Sequence, residues 1–332
     1  MRLLVLGGTE FVGRAVVAAA MERGWEVTVL NRGTRRPAPP GVRALVGDRL
    51  AEGGLTALAD GEWDAVVDTW ASAPRAVRDT ARLLAGRVER YAYVSTCSVY
   101  AQPSPRDCAE TAPLVEGDPD AGAVAYPEDK RGGELAVLDA FGEERSLLAR
   151  AGLLIGPWEN VDRLPWWLRR IAEGGPVLAP GPKDNPLQYL DARDLAAWTL
   201  DAVAAGLSGP YNLLGEQGGT TMGELLETCV RVTGSDAELR WTDAARLLEA
   251  GVETWTQLPM WVPREETPEL FTAVYEQNVD RAVAAGLRCR PIAETVADTW
   301  AWMRSGEASS PASAPRRAKG LDPETEARLL AL

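Results

Sequence analysis

An α/β fold built on a doubly wound parallel sheet, with a smaller mixed domain toward the C-terminus, is the class this sequence predicts. Three observations predict it. Short apolar runs such as Leu3-Leu4-Val5-Leu6 and Ala65-Val66-Val67-Asp68 have the length and composition of strands buried on both faces. They alternate with alanine-rich segments of helical period, the pattern of βαβ units rather than hairpins. A glycine turn, Gly7-Gly8-Thr9-Glu10-Phe11-Val12-Gly13, joins the first such run to the first helix.

The elements follow in order. Residues 3–6 form the first strand, 14–23 an alanine-rich helix closed by Gly24, and 26–30 a second strand. Residues 44–46, 65–68 and 91–95 read as the third to fifth strands, with a helix over 77–85. Residues 103–125 are rich in Pro, Asp and Glu and read as a loop, either a cover for a bound ligand or plain surface. A helix begins near Tyr126, a strand returns over 146–154, and a helix follows over 165–173. Residues 176–186 read as loop, 187–191 as strand, 192–205 as helix and 210–214 as strand. A helix over 221–233 has Thr221 as N-cap and Glu224 closing a capping box. Segments 279–285 and 292–305 complete the body. Residues 305–320, rich in Ser, Ala and Pro, read as a linker. Residues 321–332 read as an amphipathic helix with Asp322 as N-cap and Pro323 at its first position, able to dock on its own body or on a neighbouring subunit. The resulting division is residues 1–155 plus about 186–215 in a dinucleotide-binding domain, and about 156–185 plus 216–304 in a substrate domain.

The chain has 332 residues, 46% hydrophobic, enough for a large core. Its net charge of −13 repels phosphate backbones and disfavours a general nucleic-acid role. No stretch approaches a membrane span, and Met1-Arg2 runs straight into a strand without a signal-peptide pattern, so the expected location is the cytoplasm. Cys97, Cys108, Cys229 and Cys289 lack Cys-x-x-Cys spacing and read as reduced, mostly buried residues. There is no histidine, which excludes Ser-His-Asp and Cys-His schemes and His-ligated zinc; no metal is expected. Acid–base work must fall to Tyr, Lys, Asp, Glu or Cys.

Tyr126 and Lys130 are four apart, on one face of a helix. An ammonium beside a phenol favours the phenolate, so this spacing predicts a lowered tyrosine pKa and a proton-transfer catalyst. The chain holds only three lysines, Lys130, Lys183 and Lys319. At the other end, Gly7 and Gly13 permit close approach of a pyrophosphate, with helix N–H groups behind it. The second strand ends Asn31-Arg32-Gly33-Thr34-Arg35-Arg36 without the acidic residue that reads a ribose 2′-hydroxyl. Guanidinium groups there predict a 2′-phosphate and hence NADP(H) in preference to NAD(H). Asp48, ending the third strand, serves either the adenine amino group or a turn.

These residues resemble an extended short-chain dehydrogenase/reductase of the NAD(P)-dependent epimerase/dehydratase superfamily, which has a Rossmann sheet. Residues 7–13 resemble the nucleotide loop in the Gly-Gly-Thr-x-Phe variant of the atypical branch that includes the chloroplast stem-loop-binding proteins. Val94-Ser95-Thr96-Cys97-Ser98-Val99-Tyr100 resembles the family's strand end, Tyr126-x-x-x-Lys130 its catalytic pair, and the segment from Gln188 to Ala196 its late Val-Asp-Asp-Val-Ala signature. The resemblance implies that Tyr126 exchanges a proton with the substrate oxygen. It implies that the hydroxyl of Thr96, with Ser95 and Ser98 as neighbours, hydrogen-bonds that oxygen, and that Lys130 holds the nicotinamide ribose. Thr9, Glu10, Phe11 and Val12 line the loop, and Thr69 and Trp70 fall where the family's chain passes the cofactor. The family also implies a small-molecule substrate and commonly dimerises through a helix pair, so a homodimer is compatible.

Three departures narrow the implication. Glu10 stands where the family has glycine, Trp70 where it has a small residue, and the run Arg150-Ala151-Gly152-Leu153-Leu154-Ile155-Gly156-Pro157 has leucine where nucleotide-sugar enzymes keep asparagine. The residues after Thr96 are Cys97-Ser98 rather than the Asp-Glu of sugar-nucleotide dehydratases. Nine of twelve tryptophans lie beyond residue 150, and Trp158, after Gly156-Pro157, is the expected edge of the substrate pocket along with Ser98. Arg163, Arg169 and Arg231 offer charges to an anionic substrate. The leading reading is an oxidoreductase on a carbonyl or secondary alcohol. An epimerase or dehydratase on a sugar-like substrate and a non-catalytic, dinucleotide-bound or RNA-associated scaffold are the alternatives.

Overall fold

A computed structural model describes residues 1–307 and 320–331. Seven parallel strands form the central sheet: β1 (Arg2–Leu6), β2 (Glu26–Asn31), β3 (Arg43–Val46), β4 (Trp63–Asp68), β5 (Val88–Thr96), β6 (Ser146–Ala151) and, after four short strands, β11 (Gly209–Leu213). Their spatial order is β11-β6-β5-β4-β1-β2-β3. The order reverses beside β1, so a crevice opens between the C-terminal ends of β1 and β4, where open α/β sheets bind ligands. Helix α1 (Phe11–Glu22) packs against α5 (Ala192–Ala204) on one face. Helices α2 (Pro74–Leu84) and α3 (Tyr126–Phe141) cover the other. Apolar clusters on both faces, around Val16 and Leu195 on one and Val77 and Val137 on the other, account for the unbroken hydrophobic reading of the strands.

A third apolar cluster gathers residues outside the sheet, among them Trp167, Val177, Leu226 and Trp261. It is built from β7 (Leu153–Ile155), α4 (Leu164–Ala172), β8 (Pro176–Pro180), β9 (Pro186–Leu187), β10 (Tyr189–Asp191), α6 (Met222–Thr233) and later elements. After β12 (Thr220–Thr221) these include β13 (Glu238–Thr242), α7 (Ala244–Glu249), α8 (Pro268–Tyr275) and α10 (Ile292–Arg304), with α9 (Asp280–Ala284) packed on β11.

Several expectations are corrected. The loop read over 176–186 contains β8, which pairs in parallel with β13 from Pro176↔Glu238 to Pro180↔Thr242. Its partner lies some sixty residues away and supplies the hydrogen bonds that a proline-bounded segment does not advertise locally. The strand read over 146–154 divides at Gly152: β6 stays in the main sheet, and β7 turns to pair with β10. A Cβ at Gly152 would lie 1.9 Å from Leu214 Cδ2, so a larger residue there would displace that buried side chain. The strand read over 187–191 also divides, at buried Gln188, whose amide donates to the carbonyls of Gly215 and Gln277. Thr221 caps α6 as expected, accepting from Glu224 N at 3.1 Å, but the Glu224 carboxylate accepts from the Thr220 hydroxyl instead of closing a capping box.

The expected linker over 305–320 falls largely on 308–319, which lie outside the described residues, as does residue 332. Helix α11 (Pro323–Leu330) has Asp322 as its cap and packs on β8 of the same chain. Glu326 accepts there from Arg170 Nε and from Leu178 N, while Leu329 is buried. No helix among the described residues is long and apolar enough to cross a membrane. The cysteines are unpaired; Cys97, Cys108 and Cys229 are buried and Cys289 is exposed.

Candidate active site

The glycine turn sits at the mouth of the crevice. Gly7 and Gly8 have φ of +117° and +89°, conformations that L side chains rarely adopt. A Cβ on Gly7 would lie 2.5 Å from Thr69 Oγ1, and one on Gly13 would lie 2.6 Å from Gly8 N. Thr69 itself donates its hydroxyl to Leu6 O at 2.9 Å, tying the ends of β1 and β4 together beneath the turn. Thr9 is buried, and Phe11 and Val12 enter α1, whose first turn has no side-chain cap. That turn leaves backbone donors for an anion, which fits the pyrophosphate of a dinucleotide. The Glu10 carboxylate is drawn aside to Arg35 Nε at 3.4 Å and to Asn160 Nδ2 at 3.4 Å.

At the end of β2, Asn31 Oδ1 accepts from Gly33 N at 2.8 Å, so its side chain serves the turn. Arg36 donates to Glu307 O, and Arg32 is exposed. Asp48 Oδ1 accepts from Leu50 N at 3.0 Å, the turn role left open by the sequence. Trp158, expected at the edge of the substrate pocket, packs among arginines and a second indole. Its ring lies 3.6 Å from the Arg14 guanidinium carbon and 4.8 Å from that of Arg36, with Trp302 at 5.5 Å. Two cations drawn to the indole hold it beside the nucleotide turn.

The proposed chemistry collects at the C-terminal ends of β4 and β5. Thr96 ends β5; its Oγ1 accepts from Ser98 N and donates to Ser98 Oγ, both at 3.2 Å, with Ser98 exposed. Ser95 is buried and its hydroxyl has no partner. Tyr126 opens α3. Lys130, one turn on, is buried and donates to Trp70 O at 2.5 Å and Val94 O at 2.6 Å. The close approach of α3 that allows this depends on small residues. A Cβ at Gly133 would fall 2.4 Å from the Tyr93 hydroxyl oxygen. Burial lowers the Lys130 pKa to about 8, with Asp68, Glu134 and Asp129 pulling the other way.

The lowered pKa expected for Tyr126 is corrected. Although 48% of the residue is exposed, its hydroxyl is directed inward, and burial raises its pKa. The Thr96 hydroxyl and the Arg163 charge pull it partly back. The Lys130 ammonium is engaged by the carbonyls of Trp70 and Val94. A protonated Tyr126 is suited to donate a proton rather than to take one.

Nothing in the sequence pointed to the buried network beneath. Arg49 pairs with Asp68 through two bonds of 2.7 and 2.8 Å and donates to Thr80 Oγ1 and Ala76 O. Tyr91 donates to Asp68 Oδ2 at 2.6 Å, and Trp70 N to Asp68 Oδ1 at 2.9 Å. This fixes the turn whose Trp70 carbonyl receives Lys130. Behind Thr96, Arg150 and Glu134 form another buried two-bond pair, and Cys97 donates to Arg150 O, facing away from the crevice. Burial pushes the Cys97 thiol far up, so it is no nucleophile. Glu159 is the other residue overlooked. Buried in the loop before α4, it accepts from Arg163 N at 2.8 Å and Leu164 N at 3.2 Å, and burial raises its pKa to about 7.

Two cavities lie elsewhere. One, of about 550 Å³, is lined by residues including Lys183, Trp241 and Arg264; the other, about 470 Å³, by residues including Tyr189, Glu224 and Cys289. Neither contains Thr96, Tyr126 or Lys130, so the crevice is assigned from convergent polar groups rather than from cavity size. Among the described residues, no cluster of three or more Cys, Asp or Glu side chains is arranged to hold a metal.

The sequence matches the model of the NAD dependent epimerase/dehydratase family over residues 3–213. No curated protein matches it. Among solved structures, the Bordetella bronchiseptica enzyme WbmH in complex with NAD+ is similar at 19% identity and TM-score 0.69, covering 92% of this chain and 99% of that one. The Thermus thermophilus UDP-glucose 4-epimerase complex with NAD is similar at 21% identity and TM-score 0.63, covering 92% and 99%. UDP-glucuronic acid 4-epimerase from Bacillus cereus in complex with NAD is similar at 13% identity and TM-score 0.66, covering 95% and 100%. At such identities the likeness shows a common fold.

Proposed function

We propose, from the premise that this chain belongs to the NAD dependent epimerase/dehydratase family, that it is a dinucleotide-dependent oxidoreductase acting on a carbonyl or secondary alcohol of a small metabolite. The observation that carries the reading is the convergence of Thr96, Tyr126 and Lys130 at the strand ends beside the glycine turn. A bound nicotinamide dinucleotide supplies the hydride donor or acceptor. Gly7, Gly8 and the first turn of α1 take its phosphates.

Each side chain then has one task. Thr96 leaves Ser98 to hydrogen-bond the substrate oxygen. Tyr126 gives that oxygen a proton as the carbonyl carbon gains hydride, so carbonyl becomes alcohol and phenol becomes phenolate. Lys130, held by Trp70 and Val94, has a third N–H for the cofactor ribose. The raised Tyr126 pKa keeps the phenol protonated, the form that donates a proton in reduction.

For the nucleotide we take NADP(H) as the finer reading. Its support is the absence of an acidic residue at the end of β2 and the exposed Arg32 beside a turn already closed by Asn31. The similar structures named above are complexes with NAD, so the two nucleotides must be compared directly.

Epimerisation is the second reading, favoured by the family match. The test is to follow the reduced nicotinamide's absorbance across a panel of ketones and aldehydes. Net consumption that disappears in Tyr126→Phe supports the reductase. Substrate conversion with the nucleotide unconsumed supports the epimerase, and conversion undiminished in Tyr126→Phe overturns the assigned site.

A further inference from the structure

The chemistry above fixes one end of the substrate, its reacting oxygen, and rests on the Tyr126 and Thr96 assignment. The structure distinguishes the three arginines that sequence offered for the other end. Arg169 pairs with Asp162 at 2.5 Å, and Arg231 donates to Thr228 Oγ1 at 2.7 Å. Arg163 differs from both. Its Nε is buried without a partner, and among the described residues its guanidinium forms no hydrogen bond or ion pair.

Its surroundings define a position. The guanidinium carbon stands 5.1 Å from the centre of the Trp255 ring, within reach of a cation–π contact. Its charge is near enough to the Tyr126 hydroxyl to oppose the rise in that phenol's pKa. The carboxylate of Glu159 feels the same charge without bonding to it. Both Glu159 oxygens accept instead from backbone N–H groups, those of Arg163 and Leu164, at the head of α4. Burying a guanidinium N–H without an acceptor costs free energy, so such a group is expected where a ligand completes it. Its planar fork matches carboxylate and phosphate oxygens two at a time.

We infer that Arg163 is a substrate-binding residue, receiving a carboxylate or phosphate carried by the carbonyl substrate that Tyr126 protonates. The substrate class is therefore a small anionic ketone or aldehyde, or the corresponding hydroxy acid or alcohol phosphate. Trp255 would press against the substrate from the guanidinium side, which limits its thickness. Neutral analogues of the same size lack the one group that this corner of the crevice binds.

The test uses the full chain saturated with NADPH and three probes: malonate, inorganic phosphate and the neutral analogue malonamide. Affinities are measured by calorimetry for wild type, Arg163→Met and Tyr126→Phe. The expected result is that wild type binds malonate or phosphate and not malonamide. Arg163→Met, which keeps an apolar stem against Trp255, weakens that binding at least tenfold, and Tyr126→Phe changes it less than threefold. Preference between the two anions tells a carboxylate substrate from a phosphate one. Failure of wild type to bind either anion, equal binding of malonamide, or undiminished binding in Arg163→Met overturns the inference. Arg163→Gln provides the second variant if the methionine form does not fold. Anion binding that depends on Arg163 without any turnover would instead remove the oxidoreductase reading and leave the anion site standing.

Discussion

The ammonium of Lys130 donates to the carbonyl oxygen of Trp70 at 2.5 Å. This bond joins α3 to the turn after β4 and decides what the lysine does. A side chain four residues from Tyr126 has the choice of lying beside the phenol or reaching past it to the sheet. Here the strand ends offer two carbonyls, those of Trp70 and Val94, and the buried ammonium takes both.

Burying that charge predicts a pH effect on stability. The Lys130 pKa falls from 10.5 in the unfolded chain to about 8 in the fold. Below pH 8 both states bind the proton and the cost of the buried ammonium is fully present. Between about 8 and 10.5 the unfolded chain holds more protons than the fold, so stability rises with pH, by roughly 3 kcal/mol at most. The measurement is denaturant unfolding across this window for wild type and Lys130→Met. The difference between them should change in that direction; a flat difference contradicts the burial argument.

Thr96 should contribute through its hydroxyl alone. Thr96→Ala is expected to lower kcat by about 10- to 100-fold with small change in nucleotide affinity, as for loss of one hydrogen bond to the reacting oxygen. Thr96→Ser restores the hydroxyl and should recover most of the rate. If alanine and serine behave alike, the hydroxyl matters neither to the substrate oxygen nor as the cap at Ser98 N, and the assigned role fails.

Arg32 carries the nucleotide preference. Arg32→Ala should weaken NADPH binding by at least tenfold, since a charge-assisted bond contributes about 1.5–3 kcal/mol, and should leave NADH binding within about twofold. Equal losses for both nucleotides would remove the 2′-phosphate reading. The competing charges at that corner are already engaged, Arg35 with Glu10 and Arg36 with Glu307 O, which is why Arg32 is the variant to make.

What the sequence could reveal follows from the range of each signal. The parallel sheet was legible because apolar runs such as Leu3-Leu4-Val5-Leu6 are buried on both faces and show it locally. Gly7 and Thr96 stood out because each sits at or just after the end of a strand, and Lys130 because it lies one turn beyond Tyr126 on the same helix. The pairing of β8 with β13 was not, since its partners are about sixty residues apart. Spacing placed Tyr126 and Lys130 on one helical face, but not the direction in which the lysine reaches. That direction is set by carbonyls contributed by two other strands. Arg163 was visible only as one arginine among many until its lack of a partner distinguished it.

The pair beneath the site makes the last prediction. Arg49 and Asp68 are both buried and exchange two hydrogen bonds. Burial alone would raise the Asp68 carboxyl, but the charge and hydrogen bonds of Arg49, with Tyr91 and Trp70 N, hold it below 3.8. Arg49→Met leaves an uncompensated buried carboxylate and should destabilise the fold by about 3–5 kcal/mol in denaturant unfolding. Arg49→Met combined with Asp68→Leu removes both charges and should recover part of that loss. The sign of the pH effect follows from the lowered pKa. The pair's contribution is fully present above pH 3.8, the unfolded value, and is lost as pH falls through the lower folded value. Wild type should therefore lose stability in acid faster than the double variant. Because Asp68 also receives Trp70 N, the single variant should disturb the turn that holds Lys130 and lower turnover in the fraction that remains folded. A single variant as stable and as active as wild type would show that the pair neither stabilises the fold nor positions the lysine.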